Sequence, residues 1–257
     1  MKTHTIDHVM LEANGLRFHA RVAGPVRGPL VLLLHGFPES SYGWRHQTEP
    51  LAAAGLRVVA PDQRGYGLSS KPQERFAYQL DRLADDVVGM ARALGAKRYA
   101  VVGHDWGGAV AWHLASRGAE GLERVAILNA PHAGSVGRHT LTHPGQALKG
   151  SYVGFFQLPM IPELVLSAGD FLWLRRALVS TSRKGCFNEE ELDTYREDWQ
   201  RAGALTGMLN WYRALPLDVP VPTGRCRCRC ACCGGTATRT STLSWPSAVP
   251  RCARRPG

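Results

Sequence analysis

Residues 99–116 constrain the fold of this 257-residue chain more than any other stretch. An unbroken apolar run, Tyr99–Val102, leads into Gly103-His104-Asp105-Trp106-Gly107-Gly108, and Ala109–Ser116 follow with helix-forming character. That order reads as a strand, a sharp turn and a helix. Gly103 and Gly107 leave room for the chain to reverse, and the turn lifts the side chain at its apex, Asp105, out of the sheet. Two readings of Asp105 are open at this point: a carboxylate that caps the helix, or one presented for chemistry.

The rest of the N-terminal half reads as the sheet such a turn needs. His8–Leu11 and Leu16–Val22 flank Asn14-Gly15, a dipeptide suited to the positive φ angles of a tight hairpin. Pro29–Leu34, Leu56–Ala60 and Val125–Leu128 are further short apolar runs of the kind covered on both faces. Leu80–Leu94 places Leu80, Leu83, Val87, Met90, Ala91 and Leu94 at helical spacing, with Asp81, Arg82, Asp85 and Asp86 on the opposite, solvent-facing side. Strands alternating with helices predict an α/β fold with a mostly parallel sheet and right-handed crossovers. From about His132 the alternation stops. His139–Leu217 reads as mostly helical, divided by Pro144, Pro159 and Pro162. The expected organisation is an α/β core over residues 1–132, a helical cap over 133–217, and a separate tail over 218–257.

Charge and cysteine are concentrated in that tail. Seven arginines and no Asp, Glu or Lys lie between Gly224 and Gly257, so the tail supplies seven of the ten net positive charges and the body is nearly balanced. A nucleic-acid footprint needs Lys and Arg gathered on a folded face, and none is expected here. Of the seven cysteines only Cys186 precedes the tail, which suits a reducing compartment. Met1–Met10 lack a charged-then-apolar leader pattern, and no apolar run reaches the roughly 18–20 residues of a membrane span. These features predict a soluble, cytoplasmic protein that engages neither membrane nor nucleic acid.

A second element, Leu34-His35-Gly36-Phe37-Pro38, follows the Pro29–Leu34 run. Alone it is a common proline-ended turn, but it stands in register with the Asp105 turn. Together His35-Gly36-Phe37-Pro38, Asp62-Gln63-Arg64-Gly65-Tyr66-Gly67, Gly103-His104-Asp105-Trp106-Gly107-Gly108 and Leu128-Asn129-Ala130-Pro131-His132 resemble the successive signatures of soluble epoxide hydrolases. The likeness covers the chain from its N-terminus to about Pro222. It implies an α/β-hydrolase fold with Asp105 as the nucleophile and the backbone N–H groups of Phe37 and Trp106 as an oxyanion hole. It implies too that Tyr152 and Tyr212 open the ring, that His35, Pro38, Trp106 and Phe156 contact substrate, and that a small-molecule epoxide is turned over without metal or organic cofactor.

The chemistry agrees with those residue types. A carboxylate displaces an oxygen at an alkyl carbon and becomes an ester, which disfavours serine-type hydrolysis. The alkoxide so formed needs a proton donor that does not compete as a nucleophile, and a phenol meets that need. Without the resemblance, Tyr152 and Tyr212 would read as core aromatics. Haloalkane dehalogenases share the fold and the Asp nucleophile, and they are the rival reading. Their second halide donor is often an Asn after His-Gly, where this chain has Phe37. His104 reads as packing beneath the turn, and His132, His139 and His143 as loop and cap residues rather than metal ligands.

After Val219-Pro220-Val221-Pro222-Thr223 the resemblance breaks. The family continues with a buried strand ending in Trp-Gly and an acidic residue, and later carries a Gly-His with the general base. Here the chain reads Gly224-Arg225-Cys226-Arg227-Cys228-Arg229-Cys230-Ala231-Cys232-Cys233. A zinc cluster is disfavoured, because alternating arginines repel a cation and no paired Cys-x-x-Cys is present. Read one frame over with GC-rich codons, Gly224–Trp245 become SVPVPVRLLWGHRDPHLDAEL, which restores the strand, the Trp-Gly and an acidic residue. A shifted reading frame is therefore the expected origin of the tail, and the bases of the coding DNA decide it. As written, the tail is expected to lack the triad acid, the base, and fixed structure. Without its help turnover is expected to be impaired, and a non-catalytic relative from a damaged gene is the third reading.

Overall fold

The computed structural model describes residues 5–132, 151–218 and 229–233. It opens with the expected hairpin, in which β1 (Asp7–Ala13) and β2 (Leu16–Ala23) pair antiparallel. Asn14 and Gly15 both take positive φ, 54° and 74°, as a two-residue turn of this hand requires. The remaining strands are β3 (Leu30–Leu34), β4 (Arg57–Pro61), β5 (Tyr99–His104), β6 (Leu122–Leu128) and β7 (Arg229–Cys233). They form one sheet in the order β1-β2-β4-β3-β5-β6-β7, parallel from β4 to β7 and antiparallel at the β1–β2 and β2–β4 pairs.

Every residue of β3 is buried, because helices cover both sides of the sheet centre. On one face Val31, Leu33, Val58 and Ala60 meet Trp44 and Ala52, the latter from α1 (Arg45–Ala53). On the other, Leu32, Leu34, Val59, Val101 and Ile127 pack with α2 (Leu80–Ala93) and α3 (Trp106–Ser116). Each such Val, Leu or Ile side chain contributes about 1.5–3 kcal/mol of hydrophobic stabilisation. The periodicity of α2 is as expected except at Asp86. That residue is buried, not solvated, because the Arg64 guanidinium grips it through Nε (2.8 Å) and Nη2 (2.6 Å) while Asn14 donates to it. A carboxylate can be buried when it is paired and hydrogen-bonded.

Among the described residues four helices follow: α4 (Ser151–Phe156), α5 (Ile161–Thr181), α6 (Glu189–Trp199) and α7 (Ala204–Arg213). Pro159 lies between α4 and α5, Pro162 stands in the first turn of α5, and the backbone of α5 leaves helical geometry at Ala168–Phe171. A capping box starts α6, with Asn188 and Glu191 each accepting the other's backbone N–H. His139, His143 and Pro144 lie outside the described residues. These helices sit on the loops after β3, β4 and β5: the Trp199 indole donates to the Pro38 carbonyl (2.7 Å) and the Trp211 indole to the Arg64 carbonyl (2.9 Å). None of the described helices is long and apolar enough to cross a membrane.

The tail differs from expectation in one respect. Arg229–Cys233 adds a parallel strand on β6, pairing Arg124 with Arg229 through Leu128 with Cys233. Backbone pairing needs no apolar side chain, and β6 would otherwise present an open ladder.

Candidate active site

Asp105 sits where β5 ends and α3 begins, in the sparsely allowed conformation φ 51°, ψ −118°. Only a tightly determined surround holds a non-glycine residue there, at a cost of about 1–3 kcal/mol. The surround is built from glycines: a Cβ on Gly36 would lie 2.4 Å from Asp105 Cβ, and one on Gly103 2.2 Å from the Gly107 carbonyl oxygen. The expected turn is thus formed, and Asp105 is not withdrawn into a helix cap, since its side chain makes no capping bond to α3. Instead Phe37 N–H, from the loop after β3, donates to Asp105 Oδ1 at 3.0 Å. Of the two expected backbone donors, this one is drawn to the carboxylate. Trp106 begins α3, where a helix leaves its first N–H groups without intrahelical partners.

Above Asp105 stands a wall of aromatic rings. Tyr212, on α7, packs edge-on against Phe37 (5.3 Å between centroids), Trp106 (5.0 Å) and Phe156 (4.9 Å), and Tyr152, on α4, lies 5.8 Å away. Five of the residues singled out in the sequence, Phe37, Trp106, Tyr152, Phe156 and Tyr212, are therefore brought together around Asp105. Both phenols lie close enough to Asp105 to feel its charge. Tyr212 is 4% exposed while Tyr152 is 48% exposed, so one lies deep and the other toward the entrance. Burial pushes the Tyr212 phenol well above its ordinary range, and the Asp105 carboxylate adds to the rise. Tyr152 is raised by burial first and by the Asp105 charge second. Both are protonated donors across the neutral range.

His35 and Pro38 are both buried beside the turn. His35 is 1% exposed, with Nδ1 bonded to the Gly36 carbonyl (3.0 Å) and Nε2 accepting the Gln63 N–H (3.0 Å). Burial lowers its pKa and keeps the ring neutral, as that bonding requires. Nδ1 is held within the loop after β3 and Nε2 ties that loop to the one after β4, so both nitrogens are engaged. Pro38 is buried beneath Trp199. His104 sits beside the turn as expected, its Nδ1 3.4 Å from Glu39 Oε2. Burial works to lower the His104 pKa, but the Glu39 carboxylate more than offsets this and the net shift is upward.

Sequence reasoning missed Glu39, Tyr66 and the partners of Arg213. Glu39 directly follows the Pro38 motif and Tyr66 lies within Asp62–Gly67, but nothing in their spacing shows that they reach the site. Tyr66 is buried edge-on against His35 (4.6 Å), its hydroxyl has no protein partner, and burial together with Asp105 raises its pKa. Among the described residues no group of His, Cys, Asp and Glu has the arrangement of a metal site.

The family profile described as alpha/beta hydrolase fold matches residues 29–207. Epoxide hydrolase A of Mycobacterium tuberculosis is 35% identical over 238 residues, covering 79% of this chain and 72% of that protein. The chain belongs to the epoxide hydrolases of the α/β-hydrolase fold. Among other members of the fold, the AB hydrolase superfamily protein YfhM of Bacillus subtilis is 48% identical over 205 residues, covering 80% of this chain and 72% of its own length. A solved epoxide hydrolase from metagenomes of hot environments superposes with a TM-score of 0.73 at 38% identity, over 88% of this chain and 74% of that one. The chain spans 58% of the length of human epoxide hydrolase 4.

Proposed function

We propose that this epoxide hydrolase relative acts on an uncharged, apolar epoxide, that Asp105 is its nucleophile, and that α4–α7 form a cap over it. The observation that carries the reading is the convergence of two tyrosines, from two helices, on the Phe37 and Trp106 rings that flank Asp105. The Asp105 oxygen not held by Phe37 bonds to a ring carbon as that carbon's C–O bond breaks. The released oxygen takes its proton from Tyr152 or Tyr212, giving a hydroxyalkyl ester of Asp105. In the second step water adds to the ester carbonyl, a base takes a proton from that water, and the diol leaves. The N–H of Phe37, joined by that of Trp106, stabilises the charge that develops on the carboxyl oxygen. Aromatic walls favour an apolar substrate, and the nearby Arg64 and Arg213 are already paired with Asp86 and Glu163.

The second step is where this chain departs from its relatives. Its histidines end at His143, so none follows Thr223, where the resemblance places the base. General-base help is worth about 10²–10⁴-fold, and we place the block at the ester. A dehalogenase reading is disfavoured because Phe37 stands after His35-Gly36, where that family often places a halide-donating Asn. The test is to incubate the 257-residue chain with excess styrene oxide and follow epoxide and diol separately. About one equivalent of epoxide is expected to disappear per chain with diol release slowed by at least about 100-fold relative to consumption, and Asp105→Asn should consume none. Equal consumption by Asp105→Asn would remove the nucleophile assignment, and rapid repeated diol release would remove the block.

A further inference from the structure

Tyr152 and Tyr212 sit on different helices, and something must fix their spacing if both are to address one oxygen. Arg213, the residue after Tyr212, supplies the connection. Its Nε donates to the Phe156 carbonyl (2.9 Å) and Nη2 to the Leu158 carbonyl (2.7 Å), at the C-terminal end of α4, the helix that carries Tyr152. The Phe156 carbonyl belongs to the set that a helix end leaves without intrahelical partners, and a guanidinium there also complements the helix dipole. From α4's side Gln157 returns the contact, its Nε2 donating to the Tyr212 carbonyl (2.8 Å). Glu163, in the first turn of α5, holds the guanidinium by two bonds (Nη1–Oε1 2.6 Å, Nη2–Oε2 2.9 Å) and is itself braced by Thr206 of α7 (3.2 Å). Arg213 is buried, and burial alone would raise the Glu163 carboxyl, but the Arg213 hydrogen bond brings it below its ordinary value.

We infer that Arg213, together with Gln157, is a positioning device that sets the distance between the two phenol hydroxyls over Asp105. A simpler fork-free cation cannot replace it: four donor contacts in three directions match a planar guanidinium and not an ammonium. The inference rests on the reading of Tyr152 and Tyr212 as ring-opening acids, and its test separates the two. Formation of the styrene oxide ester on Asp105 is timed by intact mass in the wild-type chain, Arg213→Lys, Tyr152→Phe and the double variant. Arg213→Lys should slow ester formation by about 10- to 100-fold, the scale of a misplaced reacting group. In the Tyr152→Phe background, where no spacing remains to be set, the same change should cost no more than about twofold. An equal slowing in both backgrounds would assign Arg213 a purely structural role and overturn the inference, as would a wild-type rate in Arg213→Lys. Where Arg213→Lys fails to fold, Gln157→Leu, which removes the return contact, carries the same comparison with the same two outcomes. No ester in the wild-type chain would instead fell the underlying reading, and the spacing role with it.

Discussion

Asp105 and Tyr66 carry opposite kinds of cost. Asp105 occupies a strained backbone conformation that presents its carboxylate to the loop after β3. Tyr66 is fully buried with a hydroxyl that no protein group satisfies. An unsatisfied buried hydroxyl costs about 1–3 kcal/mol, whereas removing it leaves the ring's packing against His35 and Trp211 intact. Tyr66→Phe is therefore expected to raise the unfolding free energy by about 1 kcal/mol in urea titrations. A loss of stability would mean that the hydroxyl is satisfied in solution. The same locality explains what was legible in the sequence. Asp105, Phe37 and Trp106 lie on turns whose glycines announce them. Glu39, Tyr66 and Arg213 reach the site only through tertiary contacts with residues remote in the chain.

The loops after β3 and β4 are held by a second buried acid. Asp62 accepts from His19 Nδ1 (2.7 Å), Ser41 N–H (2.9 Å) and Leu68 N–H (3.1 Å). Burial would raise its pKa, but these bonds outweigh it and hold the carboxyl well below its ordinary value of 3.8. A depressed folded-state pKa gives stability that is full above about pH 5 and is lost as the pH falls through 4 toward the folded value. Denaturation midpoints should thus fall steeply below pH 5 in the wild-type chain. Asp62→Asn should be weaker at pH 7 by on the order of 2 kcal/mol and show a flatter acid limb; parallel pH curves would rule out Asp62 as the acid-sensitive group. The crossing of α7 over the β4 loop is equally specific. A Cβ on Gly207 would stand 2.8 Å from Gly65 Cα and from its carbonyl oxygen. Gly207→Ala should cost about 1–3 kcal/mol by overpacking, read as a lower denaturation midpoint, and an unchanged midpoint would show that the crossing is loose. Periodicity foretold the buried stripe of α2 yet misassigned Asp86, because helical spacing alone does not reveal that Arg64, 22 residues upstream, turns inward to meet it.

Across the whole molecule, the mostly parallel sheet, the hairpin, and the helical character of the described residues from Ser151 to Arg213 were readable from apolar runs, Asn14-Gly15 and the loss of strand–helix alternation. The strand contributed by Arg229–Cys233 was not, since it pairs through backbone groups that any sequence possesses. Coverage of the sheet is uneven. Val31 and Leu33 are buried under α1, whereas Ala100, Val102, Ala126 and Leu128 are only half-buried. The Asp105 turn, the Phe37 loop and Tyr212 lie among packed residues, with Tyr152 more exposed at their edge, and the proposed loss of the base concerns residues beyond Thr223. First-step chemistry on Asp105 is therefore expected without the second. The most direct measurement is peptide mapping of the chain after exposure to styrene oxide. A persistent mass increase of one epoxide on the peptide containing Asp105, absent in Asp105→Asn, is the expected result. An unmodified Asp105, or modification confined to Cys186 and other exposed nucleophiles, would contradict the assignment of Asp105 as the nucleophile.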